Sequence, residues 1–267
     1  MGDTQNHKPI IELQQVSKRF GALQVFKDVS LALPRGKTTV VIGESGVGKS
    51  VLLKHIVGLL RPDSGRVYFD GRRIDNQNEQ QLVPIRRRMG FLFQLGALFD
   101  SMTVAENIAF PLAEHTERSA EEMDAVVAEK LRMVGLEGLG PRRPGELSGG
   151  QKKRVALARA ISLDPEVVLY DEPTTGLDPV RADVINELIL KLERELHVTS
   201  VVVTHDMTSA YKVADRIVML YEGRIIADGT PDWFKTCGEP TVRRFVDGRA
   251  NPEDLEALDL QPKDTGE

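Results

Sequence analysis

Residues 43–50 read GESGVGKS. A glycine followed, after four intervening residues, by Gly-Lys-Ser is the spacing of a phosphate-binding loop, and Gly43, Gly48, Lys49 and Ser50 fill it. Glycines let backbone N–H groups approach an anion without an obstructing Cβ. Lys49 would then reach the β- and γ-phosphates of a nucleotide, and Ser50 would ligate its Mg2+. The second chemistry-bearing stretch is VVLYDEPTTGLD, residues 167–178. Its apolar run delivers Asp171 and Glu172 to the C-terminal end of a strand, where open α/β sheets bind ligands. Asp171 would hold the metal ion, directly or through water, and Glu172 would polarise an attacking water as general base. Adjacent carboxylates repel, so a divalent cation is their natural neutraliser. A merely solvated acidic turn fits poorly after so apolar a run.

Weaker signals surround these two. His205 ends the run TSVVVT, where an imidazole can hydrogen-bond a terminal phosphate, although a lone histidine is more often structural. Gln94, after MGFLF, can offer its amide oxygen to Mg2+ or water and says little alone. Phe20 in SKRFG is either a stacking surface for a base or an ordinary core phenylalanine. His7, His55, His115 and His197 have no such placement, Trp233 reads as packing, and Cys237 suggests neither metal ligand nor nucleophile. ELSGGQKKRVALARA, residues 146–160, is different. A paired glycine follows Ser148 at what reads as a helix start, a second place where backbone N–H groups would draw an anion. Residue chemistry alone does not say why one chain needs two.

The elements that must carry these residues are legible from periodicity. Residues 10–42 are β-rich, and KTTVVIG is a short β-branched run ending in glycine. SVLLKHIVGLL, residues 50–60, has helical length and is closed off by Pro62. An Asp-Gly turn inside GRVYFDGRRI predicts a hairpin. A helical lobe is expected at roughly 97–160; within it Ser119 and Glu122 form a capping box, and Met123, Val126, Val127, Leu131 and Val134 share a helix face. PEVVLYDE and TSVVVTHD are fully apolar runs of the kind buried in parallel sheets, with a helix at 181–195 between them, a βαβ pattern. Residues 215–229 predict a strand, a turn at Glu222-Gly223 and a returning strand.

Composition bounds the function. The 35 basic and 40 acidic residues leave a net charge of −5, which argues against general nucleic-acid binding. IRRRMG, residues 85–90, reads as a solvated basic face. With 267 residues the chain can bury a sizeable core, in one large domain or two closely joined lobes. The single cysteine fits a reducing compartment. No run nears the ~18 consecutive apolar residues that span a bilayer, and MGDTQNHKPI lacks the apolar segment of a secretory leader. A cytoplasmic protein is expected, one that meets a membrane only through a partner.

Together GESGVGKS, Gln94, LSGGQ (147–151), VVLYDE, GLD (176–178) and His205 resemble the ATP-binding cassette (ABC) ATPases, in that family's order and spacing, over roughly residues 10–245. The resemblance implies an α/β P-loop NTPase of ABC type: a RecA-like core sheet, an antiparallel β subdomain and a helical lobe, in one domain over 10–248. It implies an ATPase whose nucleotide set is Phe20, Val25, Gly43, Glu44, Ser45, Gly46, Val47, Gly48, Lys49, Ser50 and Val51. Glu172 and His205 would be catalytic, and Ser50, Gln94 and Asp171 would hold Mg2+. It also answers the question of the second anion site. In that family two copies pack head to tail with ATP between them, so Ser148, Gly149, Gly150, Gln151 and Asp178 would act on nucleotide bound by the other subunit.

A narrower likeness lies in FQLGALFDSMTVAENIAFPLAEHT (93–116) and VRRFVDG (242–248), which are similar to the MlaF family of MCE-associated ATPases. Leu95 departs from the small residue expected between Gln94 and Gly96. That likeness implies phospholipid or related lipid transport between membranes. The implied partners are an MlaE-like permease, an MCE protein and, in some members, a STAS-domain protein, which would put the chain on the cytoplasmic face of the inner membrane. Phe99, Met102 and Phe110 would either couple to a permease helix or belong to the core of the helical lobe. The polar tail, 249–267, would either pack on the partner ATPase or stay disordered. The alternatives are the ATPase of another ABC transporter, importing or exporting small molecules, and a non-transport ABC ATPase. One uninterrupted cassette without a cysteine cluster disfavours the last.

Overall fold

The computed structural model describes residues 8–250. The β-rich start folds as β1 (Ile11–Phe20) and β2 (Leu23–Leu33), an antiparallel pair. β3 (Thr38–Ile42) runs into the glycine loop, and α1 (Lys49–Ile56) leaves it. β4 (Ser64–Phe69) and β5 (Arg72–Arg73) form the expected hairpin. Its turn residues Asp70 and Gly71 both have positive φ, 52° and 76°, as this tight turn requires. After α2 (Glu79–Arg86) and β6 (Met89–Leu92) comes the helical stretch: α3 (Val104–His115), α4 (Ala120–Met133) and α5 (Gly149–Ala160). Strand and helix then alternate through β7 (Val167–Asp171), α6 (Pro179–Leu196), β8 (Thr199–Thr204), α7 (Met207–Val213) and β9 (Arg216–Tyr221). β10 (Arg224–Gly229) returns beside β9, followed by α8 (Pro231–Thr236) and α9 (Pro240–Val246).

Among the described residues two sheets result, an antiparallel one ordered β2-β1-β4-β5 and a central one ordered β10-β9-β3-β8-β7-β6. The central sheet is parallel except for β10. Its apolar runs are continuous because both faces are covered. Val41, Leu169, Val201 and Val203 pack with α1 and the small sheet. Their neighbours Val40, Ile42, Tyr170 and Val202 point the other way, into the core shared with Ile108, Leu131 and Leu157 of the helical stretch.

Two expectations need correction. α1 ends at Ile56, well before Pro62. Gly58 takes the left-handed position at φ 70°, and the N–H groups of Gly58 and Leu59 close back onto the carbonyls of His55 and Lys54 at 3.1 and 2.8 Å. A glycine stop thus precedes the proline. The basic run is not simply solvated: Arg86 donates to the carbonyls of Val57 and Gly58, and Arg88 pairs with Asp70 and Glu166, so only Arg87 stays exposed. Trp233 packs as expected, over Gly229 and edge-on to Phe234, with 43% of its surface exposed.

The capping box at Ser119 and Glu122 forms as expected, with reciprocal bonds of 3.3 and 2.7 Å. Among the described residues no helix is long and apolar enough to cross a membrane. From Asn251 onward the polar tail lies outside the described residues.

Candidate functional site

Strand register brings the chemistry together. Ile42 of β3 pairs with Thr204 of β8, and Val203 of β8 pairs with Asp171 of β7. The next residues, Gly43, His205 and Glu172, therefore leave three adjacent strands at one level, on the C-terminal edge of the sheet. Two loop glycines are compelled by close approach. At Gly43 (φ 155°) a Cβ would lie 2.4 Å from the Leu220 carbonyl oxygen, and at Gly48 (φ 110°) 2.6 Å from Val25 Cγ1.

Lys49 is buried at the start of α1, and its Nζ donates to the carbonyl oxygens of Gly43 and Glu44 at 2.8 and 3.0 Å. The same ammonium lies 3.4 Å from Glu172 Oε1. Burial lowers the Lys49 pKa, and the neighbouring Glu172 carboxylate opposes that shift. Ser50 Oγ donates to Asp171 Oδ1 at 2.8 Å. Burial raises the Asp171 pKa; the Ser50 bond opposes and Glu172 reinforces it.

This donor set fits Mg2+. A hydroxyl and a carboxylate, both hard oxygens, are side by side, and a buried acid next to a second carboxylate gains from a cation. Among the described residues no group of three or more His, Cys, Asp or Glu is placed to hold a metal alone. The ion's remaining ligands would be phosphate oxygens and water. Gln94 is exposed in the turn two residues after β6.

Glu172 is the most constrained residue of the cluster. Its Oε2 accepts from Thr175 Oγ1 at 3.2 Å and Thr204 Oγ1 at 3.3 Å. Oε2 also lies 3.0 Å from His205 Nδ1, which must be the donor, because a carboxylate only accepts. The backbone N–H of Glu172 donates to the Val203 carbonyl at 2.9 Å. Its φ of 49° is left-handed, a strained conformation for a residue with a Cβ.

Lys153 of α5 donates to the carbonyl oxygens of Glu172 and Pro173 at 3.2 and 2.7 Å. Burial pushes the Lys153 pKa down to about 8, with Glu172 acting against it. Sequence reasoning missed Thr175, Thr204 and Lys153. Lys153 did leave a signal: it stands three and four residues before Ala156 and Leu157, on the buried face of α5.

The other expected residues lie elsewhere. Ser148 caps α5: its Oγ accepts from the Gln151 N–H at 3.3 Å, while Gln151 Oε1 accepts from the Ser148 N–H at 2.9 Å. Ser148 and Gly149 are exposed, and Gly150 packs beside Arg181. Asp178 caps α6, accepting from the Arg181 N–H at 3.0 Å. No described hydrogen bond joins Ser148, Gly149, Gly150, Gln151 or Asp178 to the Lys49–Glu172 cluster. Val25 is buried against the phosphate loop. Phe20 is not a core residue: it ends β1 with 44% of its surface exposed, and Lys18 Nζ lies 5.5 Å from its ring.

Comparison with known proteins points the same way. A family model described as ABC transporter matches residues 26–175. The chain is 44% identical over 239 residues to the probable ribonucleotide transport ATP-binding protein mkl of Mycobacterium leprae, covering 90% of this chain and 69% of that one. It is 42% identical over 242 residues to the intermembrane phospholipid transport system ATP-binding protein MlaF of Escherichia coli K12, covering 91% and 90%. Among solved structures it matches the dimeric post-hydrolysis state of the ATP-binding cassette MJ0796 bound to ADP and Pi. That match has a TM-score of 0.77 and 35% identity, over 83% of this chain and 98% of that one.

Proposed function

This chain belongs to the ABC transporter family as an ATP-hydrolysing, ATP-binding subunit, and from that premise we propose that it powers the movement of phospholipid or a related lipid between membranes. The observation that carries the lipid reading is the 42% identity to MlaF across 91% of this chain and 90% of that protein. The proposed assembly has two copies of the chain on a multi-spanning MlaE-like permease at the cytoplasmic face of the inner membrane. An MCE protein completes it, with a STAS-domain protein as a further partner. A groove of about 560 Å³ lined by Val83, Phe91, Phe93, Phe99, Phe110 and Arg159 supports the permease contact. It is open, largely apolar with Arg86, Arg87 and His115 also on its walls, and next to the loop that carries Gln94.

In the proposed cycle Lys49 and the loop N–H groups hold the phosphates, and Ser50, Asp171 and Gln94 would hold Mg2+, whose charge would offset that of the phosphoryl oxygens. Phe20 and Val25 flank the base. Glu172, held by Thr175, Thr204 and His205, orients and deprotonates the attacking water. Ser148, Gly149, Gly150, Gln151 and Asp178 complete the partner's site. The Ser148 hydroxyl spends its acceptor on the cap and keeps its own proton for a phosphate oxygen. Terminal-phosphate contacts made only in the closed dimer favour that state, and hydrolysis removes them.

The mkl relative supports a second reading, in which the same motor serves a ribonucleotide transporter. Purifying the tagged chain from detergent-solubilised membranes of its own host separates the two. A multi-spanning protein, an MCE protein and bound phospholipid by mass spectrometry are expected. A permease without MCE protein or lipid supports the ribonucleotide reading, and ribosomes or DNA refute transport altogether.

A further inference from the structure

Glu172 holds a strained, left-handed backbone conformation that persists only where the surroundings over-determine it. Its side chain is fixed by Lys49, Thr175, Thr204 and His205, and its N–H by Val203. The peptide oxygen that follows accepts from the Thr175 N–H at 3.3 Å, and it has a second, charged donor. Lys153 Nζ, from the middle of α5, donates to that oxygen at 3.2 Å and to the next one, of Pro173, at 2.7 Å. Both bonds are buried, and Lys153 is only 8% exposed. An ammonium in such a place loses hydration, so its two carbonyl contacts must offset that loss. An aliphatic side chain would fill the same apolar face without the cost.

We propose that Lys153 is a positioning residue for ATP hydrolysis: by holding the carbonyls of Glu172 and Pro173 it locks the left-handed turn that aims the Glu172 carboxylate at water. Because Lys153 sits one turn into the helix that begins at Ser148, it also ties the loop offered to the partner's nucleotide to this chain's own carboxylate. Displacement of that loop is thereby transmitted to Glu172. The proposal rests on Glu172 being the water-activating group.

The test is a double-mutant cycle between Lys153→Met and Glu172→Gln, reading kcat, KM for ATP and melting temperature, with Lys153→Gln alongside. Lys153→Met is expected to lower kcat on the order of 10- to 100-fold, as a misaimed base does, with KM and melting temperature near wild type. Lys153→Gln keeps two N–H donors and should recover part of the loss. In the Glu172→Gln background the Met substitution should change residual turnover little, because both act through one carboxylate. Wild-type kcat in Lys153→Met overturns the proposal, as does a fully additive loss in the double variant or a matching fall in melting temperature that Gln does not relieve. Should the Met variant fail to fold, Lys153→Gln takes its place in the cycle on the same criteria. Undiminished turnover in Glu172→Gln alone overturns the assignment of Glu172 instead, and with it this role for Lys153.

Discussion

Glu172 and Lys49 form a buried pair of opposite charge 3.4 Å apart, with Asp171 alongside on Ser50. A carboxylate so placed could take a proton from water, with Lys49 turned to a bound phosphate. Glu172→Gln preserves shape and removes the base. That variant should bind ATP, lose on the order of 10²- to 10⁴-fold in kcat and accumulate an ATP-bound dimer by size-exclusion chromatography with light scattering. Ordinary turnover would remove Glu172 from the role of base. At this scale type and spacing singled out Lys49, Ser50, Asp171 and Glu172, and the fold brings these four together. Type and spacing were silent on Thr175 and Thr204, whose hydroxyls matter only because register sets them beside one carboxylate oxygen.

The element that matters most is α5. Its first turn presents Ser148 and Gly149 to solvent, while its buried face reaches Glu172 through Lys153. An N-terminus with free N–H groups carries partial positive charge suited to an anion, yet no described hydrogen bond links it to the Lys49 loop. A large cationic side chain at position 148 separates the two sites. Ser148→Arg should abolish turnover while ATP affinity, measured with a fluorescent nucleotide, stays largely intact. The lost cap costs only about 1 kcal/mol, so unfolding does not explain such a result. Loss of ATP binding by the monomer would instead show that α5 serves its own chain. Helix starts were readable because capping chemistry is local, as at Ser119 and Glu122. The end of α1 was misread because Gly58 and Pro62 are both stop signals and the nearer one acts first.

At the scale of the whole molecule, the proposed permease contact falls on the groove lined by β6, the loop after it and the helical stretch. Phe99 and Phe110, which sequence left between core and coupling roles, are 42% and 36% exposed and pack on each other, ring centroids 4.9 Å apart. Phe110→Glu should keep basal ATP hydrolysis within about twofold, as surface changes usually do, and should abolish co-purification with the permease. Retained association would place the docking surface elsewhere.

The sequence by itself determined the nucleotide chemistry, the parallel sheet and the family. Phosphate loops, apolar strands ending in carboxylates and capped helix starts are each specified within a dozen neighbouring residues. Only the tertiary structure decided what surrounds Glu172. Its partners come from β8, α5, the phosphate loop and the turn after β7, segments as far apart in the chain as Lys49 and His205. What joins them is the pairing of Ile42 with Thr204 and of Val203 with Asp171, and strand order of that kind is set by which faces can be buried together.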